Sequence, residues 1–248
     1  MCIGAIDGKH VMLQKPHMSG STFYNYKQRF SIQLLAVVDA NYQFMYVDAG
    51  CQGRLGDAGV YHHSTLSTAL ESNLLNIPSA QALPHCHVVV PYVLVGDDAF
   101  PLKSNIMKPY AHRGLNDTER IFNYRLSRAR RVVENSFGML AARFRVFRTS
   151  MEINPAKARD VVLAATVLHN FMRQRSQTAS NIEVRESCSS VMDTADQAMH
   201  MQPPSGMSRC KPCLARPSLN AKTVRSTFAD YFVHDGQVQW QWSIVQNA

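Results

Sequence analysis

The sequence contains no run of about 18 consecutive apolar residues, the length a membrane-crossing helix needs. Its first residues, Met1-Cys2-Ile3-Gly4-Ala5-Ile6-Asp7, lack the basic start, apolar stretch and small-residue cleavage site of a secretory leader. The six cysteines (Cys2, Cys51, Cys86, Cys188, Cys210, Cys213) form no spaced framework, so a reducing compartment is expected. Cys210-Lys-Pro-Cys213 is a lone C-x-x-C, and a structural zinc site needs four ligands, which the upstream His200 does not complete. His85-Cys86-His87 fares no better, because neighbouring residues on a strand point to opposite faces. There is no internal repeat. Charge is sparse too, at 18% of residues.

What charge there is carries a sign. Lys plus Arg number 26 against 18 Asp plus Glu, a net charge of +8. The basic residues Lys103, Lys108, Arg113, Arg120, Arg125, Arg128, Arg130, Arg131, Arg143, Arg145 and Arg148 face only Asp117, Glu119 and Glu134 over 103–148, which accounts for the whole surplus. A concentrated basic stripe is an electrostatic footprint for a polyanion, with nucleic acid the first candidate. A solvated helix face is the alternative. With 46% hydrophobic residues, the 248-residue chain can bury a sizeable core.

The spacing predicts a strand at Cys2–Ile6 and a hairpin formed by Ser31–Val38 and Phe44–Val47 around Asp39-Ala40-Asn41. A helix is predicted over Asp57–Leu75, and a buried strand after Pro91. Phe122, Leu126, Ala129, Val133, Phe137 and Leu140 recur every three or four residues, which predicts one long amphipathic helix starting near Asn116 or Asp117. Another helix opens at Pro155 with Asn154 as its cap and runs through Met172. Residues 176–226, rich in Ser, Met, Pro and Cys, read as mostly disordered, and 227–248 as an aromatic tail able to dock back. The fold class is α/β, a mixed sheet with helices packed on it.

Four carboxylates stand where core packing alone would not choose them. Asp7 ends the first apolar run, Asp97 follows the strand after Pro91, Asp57 opens a helix, and Glu134 sits beside the core positions Val133 and Phe137. Carboxylates at the ends of adjacent strands repel unless a cation or proton intervenes, and hard divalent metals take such oxygen ligands. Each acid also has a plain reading. Asp57 can cap its helix, Glu134 can pair with Arg130 or Arg131, and Asp7, Asp97 and Asp98 can be turn residues. Tyr24, Tyr26, Lys27 and Arg29 form a basic-aromatic cluster suited either to nucleic acid or to a hairpin flank. His169 reads as a hydrogen-bonded core histidine, and Trp240 and Trp242 as packing anchors.

The segments GAIDGKH (4–10), FSIQLLAVVDANYQFMYVDAGCQGRLGDAGVY (30–61), VPYVLVGDDAFPLKSNIMKPY (90–110), ERIFNYRLSRARRVVENSFGMLAARFRVF (119–147), ARDVVLAATVLHNFM (158–172) and FADYFVHDGQVQWQ (228–241) together resemble the PIF/Harbinger transposases and the nuclease-like proteins derived from them. The resemblance implies an RNase H-like catalytic domain over 1–175 and a DDE-type, Mg²⁺- or Mn²⁺-dependent DNA endonuclease. It implies Asp7, Asp97 and Glu134 as catalytic acids, with Asp57 joining them as a metal ligand. Arg128, Arg130, Arg131, Lys9 and Lys27 are the residues expected to hold DNA. Family members also carry a segment N-terminal to the catalytic domain and work in the nucleus with a separate Myb-like DNA-binding protein. Gly56 stands where the family often has histidine. A remnant that binds DNA or protein without turnover is the alternative function.

Overall fold

The computed structural model describes residues 1–186 and 219–246. Cys188, His200, Cys210 and Cys213 lie outside the described residues. Three long strands open the chain: β1 (Cys2–Met12), β2 (Ser31–Val38) and β3 (Phe44–Gln52). Two short helices follow, α1 (Asp57–His63) and α2 (Thr65–Glu71). The next strands are β4 (Gln81–Ala82), β5 (Val89–Val90), β6 (Val93–Val95) and β7 (Ile106–Met107). The helices α3 (Asp117–Arg143), α4 (Pro155–Glu186), α5 (Leu219–Val233) and α6 (Gln241–Gln246) complete the order, with a 3₁₀ turn at Arg145–Arg148. No helix among the described residues is long and apolar enough to cross a membrane.

The main sheet has the order β3-β2-β1-β6-β7. β2 runs antiparallel to both neighbours, while β1, β6 and β7 are mutually parallel. β2 is buried along its whole length because helices cover both faces of this mixed sheet, so it reads as a near-continuous apolar run. On one face α3, α4 and α5 pack around Ala5, Leu34, Phe44, Val133, Phe137 and Val162. On the other, α1 and α2 close over Ile6, Leu35, Val37, Tyr61 and Phe100. This is the α/β layer architecture read from the sequence.

Several boundaries differ from that reading, among them β3, which runs on past Val47 to Gln52. β1 does not stop at Ile6 but continues through Asp7 to Met12, because β2 pairs with it without interruption from Ala5 to Met12. The helix predicted over Asp57–Leu75 is two helices, broken where Ser64 turns extended and caps α2, its Oγ accepting from Ser67 N at 3.2 Å. The span 176–226 is helical at both ends, since α4 runs to Glu186 and α5 opens at Leu219; residues 187–218 lie outside the described residues. The start of α3 follows the sequence closely. Asn116 Oδ1 accepts from Glu119 N at 2.8 Å while Glu119 Oε2 accepts from Asn116 N at 3.1 Å, a reciprocal capping box.

Candidate metal centre

Parallel register brings the first two acids together. Ala5 of β1 and Val95 of β6 are the last paired residues of those strands. Asp7 and Asp97 each follow two residues later, Asp7 within β1 on the face of Ala5 and Asp97 in the turn that follows β6. Beyond that pair β6 ends, so a notch opens along β1 beside Asp7. The third acid arrives from the opposite face: Asp57, the first residue of α1, leans over Gly8. A Cβ at Gly8 would overlap Asp57 Oδ1, so only glycine permits the approach. The ligand oxygens of Asp7, Asp57 and Asp97 all lie within 4.8 Å of one another.

Asp57 does not cap its helix, since Gly56 occupies the cap position without a side-chain bond. Its Oδ1 instead accepts a hydrogen bond from Gln33 Nε2. Gln33 was not among the residues singled out by sequence. Its signal was there, a lone amide within the otherwise apolar run of β2. Its Oε1 is buried with no hydrogen-bond partner among the described residues. Asp97 Oδ1 accepts from Ala99 N at 2.9 Å, so its turn role and its place in the cluster coexist. Asp98 faces away, paired with Lys108 at 3.0 Å.

The electrostatics record the crowding. Burial first, then the charges of Asp97 and Asp57, push Asp7 up to about 7. Burial and Asp97 push Asp57 up to about 6, against the hydrogen bond from Gln33. Three carboxylates at this spacing are poorly compensated by protein alone, and Arg130 and Lys27 offset only part of the repulsion. An all-oxygen set of this kind, with an orphaned amide oxygen alongside, fits a hard divalent cation.

Glu134 is not brought into the cluster. Its carboxylate is half exposed and meets Arg130 Nη2 at 3.4 Å, the i,i+4 pairing that the sequence allowed as its plain reading. The charge of its partner, Arg130, is felt at Asp7 and Asp57. Lys9, two residues beyond Asp7, sits over the ring of Phe137 at 5.6 Å, and Phe137 is one turn along α3 from Glu134.

The basic stripe proves to be divided. Arg130 lies near Asp7 and Asp57, with its buried Nε unpaired. Lys9 and Lys27 are close enough to influence each other, and Lys27 is also felt at Asp57. Arg131 is exposed on α3. Arg128, by contrast, stacks on Trp240 at 4.4 Å. Arg125 is held by Gly236 O, Gln241 Oε1 and the ring of Phe232. Arg148 turns back on the carbonyls of Ala141 and Ala142, and Lys103 binds Glu71. The surplus is therefore partly spent on joining elements of the fold.

A carboxylate cluster at the edge of a mixed sheet, with Arg130 of a neighbouring helix beside it, is an arrangement whose chemistry suits a divalent cation. The sequence pattern of the DDE superfamily endonucleases matches residues 6–170, and the chain belongs to that family. Among curated proteins, it is 28% identical over 172 residues to "Putative nuclease HARBI1" of Bos taurus, covering 68% of this chain and 45% of that protein. It is 28% identical over 175 residues to "Protein ALP1-like" of Arabidopsis thaliana, covering 69% and 43%. The Xenopus laevis protein of the first name is 24% identical over 206 residues, covering 81% and 53%. These relatives bear out the resemblance to Harbinger-derived transposases. The chain spans about half the length of the curated relatives it matches. No solved structure matches it.

Proposed function

We propose that this chain is the RNase H-like catalytic part of a divalent-metal-dependent DNA endonuclease of transposase origin. The observation that carries the reading is the convergence of Asp7, Asp57 and Asp97 from three separate elements. Those aspartates would hold Mg²⁺ or Mn²⁺, which as a pair would supply activation of a water and stabilisation of the leaving oxygen of a phosphodiester. Gln33 fixes the rotamer of Asp57, and Gly8 leaves room for it. Arg130, Arg131, Lys9 and Lys27 hold the DNA backbone, which supplies grip rather than sequence choice. Glu134 joins the acids by swinging from Arg130. A single exposed contact at 3.4 Å holds it back, and pairs of that kind contribute about 0–1 kcal/mol. The family resemblance supports a nuclear setting and a Myb-like partner that chooses the DNA site.

The test is a plasmid-nicking assay with Mg²⁺ and Mn²⁺ on the purified chain. Cleavage is expected with the wild type and none with Asp7→Asn; metal-dependent cleavage surviving that substitution would overturn the assignment. The position of Glu134 outside the cluster favours one other reading, a binding module that keeps the fold without turnover. In that case titration calorimetry detects no Mn²⁺ binding, or detects binding without cleavage.

A further inference from the structure

The connection between β1 and β2 builds a second surface beside the carboxylates. It carries exposed Tyr24, Tyr26, Lys27 and Arg29. Tyr26 is 73% exposed, so its ring contributes little to any core. The segment is nevertheless tightly braced from beneath. Asn25 is only 3% exposed. Its Oδ1 accepts from Lys27 N at 2.9 Å and Arg29 N at 3.1 Å, while its Nδ2 donates to Ser31 Oγ at 2.8 Å. Its backbone closes the same turn, Asn25 N donating to Arg29 O at 2.8 Å and Gln28 N to Asn25 O at 3.0 Å. A buried amide with this many bonds holds an outward-facing tyrosine in place, and holding it ready lowers the ordering cost of a contact made later.

The position of that tyrosine is tied to the metal centre. The Tyr26 ring meets His10 in a T-shaped contact, centroids 5.5 Å apart. His10 pairs across the sheet with Gln33, which holds Asp57. His10 is also two residues along β1 from Gly8, over which Asp57 leans, a separation of roughly 7 Å at strand rise. Lys27 Nζ sits over one face of the same ring, 5.4 Å from its centroid, and its charge is felt at Lys9, His10 and Asp57. The surface therefore offers a largely exposed aromatic ring and one cation, a nucleotide's reach from the carboxylates.

We infer that Tyr26 is a stacking platform for an unpaired base of the DNA substrate beside the scissile phosphate, with Lys27 on the adjoining phosphate. The inference rests on the endonuclease reading and adds a substrate feature to it. A base offers its π-face only when it is out of the duplex stack, so the platform selects a splayed or single-stranded nucleotide at the cut site over continuous duplex.

The experiment uses oligonucleotides carrying 2-aminopurine, single-stranded and duplex, with the wild type, Tyr26→Ala and Tyr26→Phe. Binding is read by fluorescence in EDTA and cleavage in Mn²⁺. The wild type is expected to quench 2-aminopurine in the single strand. Tyr26→Ala is expected to lose about tenfold in single-strand affinity, the loss of one base–aromatic stack, together with the quench, while duplex affinity changes less than twofold. Tyr26→Phe is expected to retain both. Single-strand binding unchanged in Tyr26→Ala, or an equal loss on duplex, would overturn the platform even if the wild type cleaves. Quenching by a wild type that never cleaves would leave the platform standing and remove the endonuclease.

Discussion

Asp7 occupies a position where a charge is expensive, inside a strand paired along its length with a central neighbour and packed near two other carboxylates. Its carboxyl is held near 7 by that surrounding, so protein groups alone do not settle it as an anion. Gly8 shows how narrowly the site is drawn. Gly8→Ala places a methyl group on Asp57 Oδ1 and forces α1 or the carboxylate to move. The expected result is at least a tenfold loss of Mn²⁺ affinity by calorimetry. A destabilisation of about 1–3 kcal/mol in urea denaturation is expected with it, the usual range for overpacking. Unchanged metal affinity would mean that Asp57 does not need this approach. Asp7 and Asp97 were legible as residues because acids beside apolar runs stand out. Gln33 and Gly8 were not, because a single buried amide and a turn-like Asp-Gly pair look ordinary until the fold shows what leans on them.

The helix α3 was the most legible element. Its apolar residues recur at the helical period over a long stretch, and Asn116 with Glu119 marks its start. The break between α1 and α2 was not legible, since Ser64 within an apolar-periodic run gives no warning that it will turn extended and cap the next helix. The extension of β1 past Asp7 was hidden because Gly8-Lys9-His10 is polar and reads as a turn. It is a strand because β2 pairs with it. The arginines of α3 were legible as charge but not as roles, which tertiary contacts assign. This gives two tests on one helix. Arg131→Ala is expected to weaken duplex binding and reduce the salt-dependence slope by about one, while Arg128→Ala, whose partner is Trp240, leaves the slope nearly unchanged. Glu134→Gln is expected to cut Mn²⁺-dependent cleavage at least a hundredfold if Glu134 joins the acids. Full cleavage by that variant would leave it as the partner of Arg130 only.

At the scale of the whole molecule, crowding three carboxylates together costs stability, and that cost has a sign that pH exposes. In the metal-free protein Asp7 and Asp57 keep protons that the unfolded chain, near 3.8, has already released. The native state then binds more protons than the unfolded state, so stability falls as pH rises through about 6 and 7. His10 acts oppositely. Burial and Lys27 lower it to about 4, so the unfolded chain binds the extra proton between there and its ordinary 6.5, and stability rises with pH across that interval. Buried His169, also lowered by burial, adds to the same rise. The two trends overlap up to about 6.5; above that the histidine rise is over, and the last of the Asp7 proton is lost as pH passes about 7, beyond which its contribution levels off. The metal-free wild type is therefore expected to melt lower at pH 8 than at pH 6.5. Asp7→Asn should flatten that difference and raise the pH 8 stability by on the order of 1–4 kcal/mol, from about 1.4 kcal/mol per pK unit. Mn²⁺ at about a hundred times its dissociation constant should restore roughly 2.7 kcal/mol to the wild type at pH 8, a rise of about 5–10 °C for a chain of this size. The gain should shrink at pH 6, where protons compete for the same oxygens, and vanish in Asp7→Asn. A metal-free melting temperature that is flat from pH 6.5 to pH 8, with no gain on adding Mn²⁺, would mean that the three carboxylates meet without forming a cation site.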